Sequence, residues 1–554
     1  MNSTRIVWAL LLGALLATTA NAAQADNDKN KKKDKSITLT EIGRYAAGPS
    51  TAQLPRAEIA AFDPATNRLF AINADQSRID VLDISSIPPL PTPLKTLTPI
   101  PLAAGFLPNS IAIHDGIVAV ALQADPKTSP GIVQFFETDG TLLNQLTVGA
   151  LPDMLVFSHN GRWLLVANEG EPSSYVAPRS LDTDPEGSVS IIDMRRGPAF
   201  LTQDDVKTAT FDDSIPKSNP SSIRIFGPGA TLAQDLEPEY IAISQDSKTA
   251  WVTLQENNAM AVLNIERAEF TRLIGLGFKD HSLPGNGLDT SDQDLAVDNG
   301  ALKDGINIKN WPVFGMYQPD GIASYRVGGD TYLVMANEGD ARSDWPGFVE
   351  DLRINSANYS LDAGVFPDFA TLEVNANLGR LTVTSATGNT DSDPELEKIF
   401  VFGARSFSIR KTNGTLVYDS GDEFEQRTAN QVPDLFNSDG TTTSFNSRSD
   451  NKGPEPEGIA IGKVSGRIYA FIGLERTGGI MVYDVTDPQR PFFVDYVNTG
   501  PTDVSPEGVM FIAEEDSPNG KALLVVSHEI SNTTTIFEIN KQLSVVTANA
   551  VIGD

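Results

Sequence analysis

No cysteine occurs in this 554-residue sequence, and histidine occurs only four times. The first absence excludes disulfides, thiolate nucleophiles and a lipid-modified cysteine. The second, with cysteine missing, argues against a zinc centre built from the usual nitrogen and sulfur ligands. Basic residues are in deficit. Forty-two Lys and Arg stand against 72 Asp and Glu, a formal charge of -30, which argues against nucleic acid or an acidic membrane as partner. There is no G-x-S-x-G elbow, Walker A loop, H-E-x-x-H helix or Rossmann fingerprint. Long apolar runs are also scarce. Residues 6–17, behind Arg5, form the one clear example, with small residues following at Ala20-Asn21-Ala22 and Ala23-Gln24-Ala25. This reads as a signal peptide over 1–25, followed by a polar linker over 26–35. No later run is long enough for a membrane helix, and the tail at 546–554 is not hydrophobic. The expectation is an exported protein in the periplasm or medium, without a membrane anchor and monomeric.

What is present is repetition. Short β-rich runs recur between Gly, Pro, Asn and Asp, an all-β pattern. Seven segments share one order of polar start, apolar strand, turn, second strand, polar motif and third strand. The first strands open at Glu58, Asn109, Asp153, Glu239, Asp320, Glu457 and Glu507. The second strands end in Asn73, Gln123, Glu169, Gln255, Glu338, Glu475 and Glu529. Third strands are visible at 79–84, 132–136, 188–193, 259–265, 398–403, 479–485 and 534–539. Three visible strands with a fourth in each connection make a propeller blade. The sequence therefore predicts an all-β, seven-bladed β-propeller over 36–545 with acidic loop insertions. A tandem of sandwiches is the rival. The strand before the first repeat, 36–45, is expected to complete the last blade and close the ring.

In a propeller the first strand of each blade lines the central channel, so both polar columns should approach one mouth. Carboxylates packed together raise one another's pKa or recruit cations. A ligand set of oxygens alone suits Ca²⁺, with Mg²⁺ or Mn²⁺ as alternatives. The candidate metal ligands are Asp153, Glu169, Asp320, Glu338, Glu457, Glu475, Glu507 and Glu529. Repeats three, five, six and seven carry acids in both columns, so the site is expected off the axis, toward those repeats. The competing reading is that these residues cap strand ends. Arg342 and Arg476, next to Glu-rich motifs, could pair with a metal to hold phosphate or carboxylate, or could simply neutralise the acids. Arg405 lies near the same motifs. His528 could act as a general base beside Glu529, or as a hydrogen-bonded structural residue. Three acidic loops, at 182–186, 289–294 and 391–395, alternate acids as calcium loops do, without the twelve-residue EF-hand pattern.

Several longer motifs resemble the choice-of-anchor I family, which includes mesenchyme-specific cell-surface glycoproteins. They are LEPEYIAISQDSKTAWVTLQENNAMAVLNI (236–265), LGFKDHSLPGNGLDTSDQD (276–294), GMYQPDGIASY (315–325), MANEGDAR (335–342), FGARSFSI (402–409), GPEPEGIAIG (453–462) and FIGLERTGGIMVYDV (471–485). The resemblance runs from about residue 37 to 539. It implies a secreted propeller, often tethered by varied C-terminal anchors. Some bacterial relatives carry an alkaline-phosphatase label, and the Pro-Glu-Gly-Ile repeats are similar to those of calcium-dependent propeller phytases. No C-terminal anchor is expected here, and Ser-His-Glu stands at 527–529 where the family tends to Ala-Asn-Glu, which puts an amide ligand from that repeat in doubt. The functional expectation is a calcium-binding envelope or extracellular scaffold. The alternative is a divalent-metal-dependent phosphoesterase acting on phosphate esters. A platform for a carbohydrate or protein ligand fits any propeller face.

Overall fold

The computed structural model describes residues 37–49, 59–87, 92–176, 179–294, 305–343, 345–391 and 393–541. The expected signal peptide, linker and C-terminal tail, and Glu58, lie outside these residues.

The architecture is a β-propeller built on antiparallel meanders. In chain order the first strands of successive sheets are Ala60–Asp63, Phe106–His114, Pro152–Phe157, Pro238–Ile243, Ile322–Val327, Pro456–Val464 and Pro506–Ile512. Each packs against the next, and the last returns to the first, so they form a closed ring. Second strands such as Trp163–Asn168 (WLLVAN) and Leu523–His528 (LLVVSH) are buried along their whole length. That explains their continuous apolar sequence, because each lies mid-sheet with a neighbouring sheet on both faces. The core is correspondingly divided into clusters that bridge adjacent sheets. One joins Leu165, Val189 and Ala209 to Ile241, Val252 and Leu263. Another joins the last sheet to the first through Ile42, Leu69, Leu82, Leu523 and Ile536.

The N-terminal strand Ile37–Ala46 pairs antiparallel with Thr533–Lys541. It thus adds a fourth strand to a sheet made by the C-terminal end of the chain, as the sequence suggested, and Thr92–Pro93 pairs outside it. Arg44 on this strand reaches Asp503 at 2.5 Å, and Asp503 also accepts a hydrogen bond from Thr533 at 2.8 Å.

A further sheet is built from two insertions, 276–321 and 338–405. It is made of Phe278–Asp280, Phe314–Met316, Asp351–Arg353, Thr382–Thr384 and Phe400–Val401. Its own core includes Leu288, Trp311, Tyr359, Leu378 and Val383. This corrects one reading of the sequence. The run at 398–403 is not the third strand of the fifth repeat. Phe400–Val401 pairs in parallel with Phe314–Met316, and Ser406–Lys411 takes the third-strand place beside Asp330–Asn337. Both runs are apolar, and local sequence cannot tell an inserted strand from the blade strand that follows it.

Candidate metal centre

Antiparallel order places the start of every first strand and the end of every second strand at the same edge of the ring. The long connections leave from that edge too, over 169–187, 211–237, 276–321, 338–405 and 420–455. Connections at the opposite edge include 115–116, 158–162, 244–248, 328–329 and 465–466. The acid-bearing edge therefore carries the elaboration, where function usually resides on a rigid scaffold.

Local geometry explains how the acids face inward. Register shifts interrupt five first strands directly after a proline, at Pro108/Ser110, Pro152/Leu155, Pro238/Ile241, Pro456/Ile459 and Pro506/Val509. Asn109, Asp153, Glu239, Glu457 and Glu507 each follow that proline and sit in the bulge, which re-aims a side chain out of the regular alternation. Four of the residues just before a proline are non-glycine residues in the left-handed region: Leu151 (φ 48), Gln318 (φ 38), Glu455 (φ 52) and Ser505 (φ 66). Their carbonyls accept from the backbone N–H of Glu169 (2.9 Å), Gly339 (3.1 Å), Glu475 (2.8 Å) and Glu529 (2.9 Å). These bonds tie the start of a first strand to the end of its second, so the two columns lie side by side.

The residue before three of the four column-two acids is a polar anchor, Leu474 before Glu475 being apolar core. Asn168 donates to Ser188 (3.2 Å) and Ser190 (3.0 Å), and Asn337 donates to Ser406 (3.2 Å). His528 occupies the same register. It is 3% exposed, its Nδ1 lies 3.3 Å from the Thr533 carbonyl, and burial lowers its pKa to about 4. His528 is thus an anchor, and the second-column residue beside it is Glu529. Asn73 is also in the anchor register. It is fully buried and donates to Asp80 at 2.7 Å. The second-column position of the first repeat is therefore Ala74, one residue later than the sequence alignment placed it.

The inward acids converge most closely between the sheets that begin at Ile322 and Pro456. Asp320, Glu338 and Glu457 can each offer an oxygen within 4.8 Å of the others, and so can Glu338, Glu455 and Glu475. The two groups differ in charge balance. Glu455 meets Arg448 at 2.5 Å, Lys452 at 3.1 Å and Arg476 at 3.6 Å. Burial pushes its carboxyl up, yet these three cations hold it below the ordinary range. Glu475 pairs with Arg476 at 3.1 Å, but burial, Glu455 and Glu338 raise it to about 8. Glu338 accepts from Lys452 and from Gln255 Nε2, both at 2.8 Å. Burial still raises it, with Glu455 and Asp340 adding to the rise. Asp320 and Glu457 receive no such compensation. Burial holds both far above the usual carboxylate range, reinforced for Asp320 by Glu338 and Asp153, and for Glu457 by Glu475 and Glu507. Glu457 Oε2 is buried without a hydrogen-bond partner. An oxygen-only triad carrying one orphaned buried oxygen fits a hard divalent cation. Glu455 was not among the ligands expected from the sequence. Its signal was the doubled acid around Pro456.

The remaining expected residues fall elsewhere. Asp153 and Glu169 lie with Glu239 and Glu256 on the two preceding sheets, the second of which adjoins the sheet that begins at Ile322. Burial raises Asp153 to about 6 and raises Glu169, Glu239 and Glu256 further, with Asp153 and Glu237 adding for Glu169, Glu169 and Glu256 for Glu239, and Glu237 for Glu256. Among the described residues these acids form no tight metal-holding triad. Glu507 is felt by Glu457. Glu529 has the expected backbone bond but joins neither triad. Arg342 is 5% exposed and engaged by Asp235 (2.5 Å) and Glu237 (2.9 Å). It ties the 211–237 connection to the 338–405 connection, with all three guanidinium nitrogens engaged there. Arg405 likewise holds Glu425 at 2.6 Å together with the carbonyls of Asp289, Ser449 and Asn451. Arg476 alone of the three stays beside the triads with its side chain 30% exposed. In the acidic loops, Asp184 pairs with Arg179 and Asp292 with Arg380. Asp391, Asp393 and Glu395 gather with Asp362 and Glu397 at the insertion surface.

Among the described residues no helix is long and apolar enough to cross a membrane. The model of the choice-of-anchor I domain matches residues 58–488. Gigasin-3a of Magallana gigas is 30% identical over 190 residues, 30% of this chain and 66% of the relative. The mesenchyme-specific cell surface glycoprotein of Strongylocentrotus purpuratus is 27% identical over 287 residues, 46% of this chain and 35% of the relative. The chain thus spans just under two-thirds of one relative and about a third of the other. Among solved structures, the WD40 domain of Toxoplasma gondii coronin aligns with 8% identity and a TM-score of 0.45, covering 92% of this chain and 90% of that one. Hydrazine synthase of Kuenenia stuttgartiensis aligns with 14% identity and a TM-score of 0.44, covering 89% and 97%.

Proposed function

We infer that this chain, which belongs to the choice-of-anchor I family, works outside the cell or at its surface as a cation-binding propeller scaffold. The cell-surface glycoprotein among its relatives supports the location. The ring is read as seven blades, with the five-stranded insertion sheet outside it, a count supported by the closed circuit of first strands.

The observation that carries the cation reading is the triad Asp320, Glu338 and Glu457, with the buried and unpartnered Glu457 Oε2. Ca²⁺ is the preferred occupant because the donors are all oxygens, led by three carboxylates, and Ca²⁺ tolerates irregular coordination geometry. When bound, such an ion would hold these carboxylates ionised and rigidify the edge that carries the long connections. The test is a thermal melt of the intact protein after chelation, repeated with Ca²⁺, Mg²⁺ or Mn²⁺. A saturable rise in melting temperature, largest for Ca²⁺, is expected. No rise with any of the three refutes the reading.

A second reading is kept for one observation. Arg476 remains partly exposed beside the acids, where a phosphate or carboxylate held by a metal could meet it. A metal-dependent phosphoesterase would then use Arg476 and not Arg342. A screen of phosphate monoesters with each metal separates the two readings, since a scaffold turns none of them over.

A further inference from the structure

The connection before Pro456 brings a lysine into the acid cluster. Lys452 is contributed by a loop and not by a strand of the ring, yet its side chain is only 13% exposed. Its Nζ lies 2.8 Å from Glu338 Oε1, 3.1 Å from Glu455 Oε2 and 3.5 Å from Asp340 Oδ1. Glu338 is the pivot. It belongs to both acid triads, and its second oxygen already accepts from Gln255.

Resting on the cation site above, we propose that Lys452 is a built-in counter-ion that sets how tightly that site holds a divalent cation. The ammonium and the ion draw on the same carboxylate from two sides. Two positive centres sharing Glu338 repel, and the repulsion is strong where little water screens it. Without the ion, Lys452 bridges Glu338 and Glu455 and offsets their mutual repulsion. With the ion, Lys452 opposes it and favours occupancy at high external concentration over permanent retention. Arg448 and Arg476 do not share this role, because both pair with Glu455 and neither bonds Glu338. The residue is therefore a determinant of affinity, acting through Glu338 without touching the ion.

The inference predicts opposite signs for two measurements on one variant. Lys452→Met in the full chain should bind Ca²⁺ about tenfold more tightly by calorimetry, while its melting temperature in chelator should fall. A merely structural lysine would lower stability and leave affinity unchanged or weaker. Should Lys452→Met not fold, the comparison is made between Glu455→Gln and Glu455→Gln/Lys452→Met. There the buried acid is already neutral, and the same tenfold gain is expected. Tight binding by the wild type that is unchanged or weakened on removing the lysine overturns the inference alone. Absence of saturable Ca²⁺ binding in every form overturns the site and the inference together.

Discussion

Glu457→Gln should make the cation-free protein more stable and the cation-bound protein indifferent to calcium. The amide is nearly isosteric, so packing is conserved. In the absence of an ion, Glu457 stands among Glu475, Glu507, Glu338 and Asp320 with Oε2 unpartnered. Removing a buried, repelled charge of this kind is worth about 1–3 kcal/mol at pH 8, where the wild type must either ionise or retain a proton. In a chain of this size each kcal/mol moves the melting temperature by about 2 °C or less. The cation then loses one of three charged ligands, which is expected to weaken binding about 100-fold, or roughly 2.7 kcal/mol. At a Ca²⁺ concentration of about 100 times the wild-type Kd, the wild type gains about 2.7 kcal/mol and the variant about 0.4 kcal/mol. Differential scanning calorimetry with chelator and with Ca²⁺ reads both quantities. If Glu457→Gln is less stable than wild type in chelator and keeps the full calcium increment, the carboxylate is a strand cap and the reasoning fails.

Three other expectations are independent of that variant. Deleting residues 37–46 removes Ile37, Ile42 and Tyr45 from the core, at 3%, 2% and 7% exposure, and opens a sheet edge; by area this costs about 5–9 kcal/mol, and an unchanged denaturation midpoint would refute closure by this strand. Arg342→Ala should destabilise by about 3–5 kcal/mol, because Asp235 and Glu237 would be left buried without their cation, while Ca²⁺ affinity stays within about twofold; a stability change below about 1 kcal/mol would show that the pair is not structural. The pH dependence of the cation-free protein should be inverted relative to ordinary acidic proteins. Asp153 and Glu475 are raised in the folded state to about 6 and about 8, so the folded form binds more protons than the unfolded chain. Their stabilising contribution is complete below the ordinary carboxylate range and is lost as pH rises through about 6 and then about 8. Saturating Ca²⁺ should flatten the Glu475 part of this slope, since Glu475 shares Glu338 with the cation site and ligands must lose their protons to bind, and should leave the Asp153 part unchanged. A metal-free midpoint that climbs between pH 5 and 8 would contradict the burial of these acids.

Much of the scaffold was legible because it repeats. A strand pattern such as Glu-Gly-Ile-Ala-Ile followed by Arg-Ile-Tyr-Ala-Phe-Ile-Gly-Leu is weak once, but recurrence with acids at fixed offsets exposes both the meander and its polar edge. The first repeat escaped by one residue. Asn73 looks like Glu169 in a string, yet it bonds Asp80 within the core, and only the pairing register separates an anchor from an inward-facing side chain. The fifth repeat misled for a related reason. Phe400–Val401 has the composition of a blade strand, but its partner is Phe314–Met316, supplied by an insertion.

The sequence by itself determined that cysteine chemistry is impossible, that the chain is all-β and repetitive, and that acids gather at equivalent strand ends. These are properties of composition and period, which one dimension preserves. Only the tertiary structure decided which acids meet. Asp320, Glu338 and Glu457 come from two sheets and share one small volume. Glu455 and Lys452 join through a turn set by a left-handed residue before a proline, while Arg342 is drawn away to Asp235 and Glu237. Electrostatic energy depends on distance and burial, and neither is a function of position along the chain.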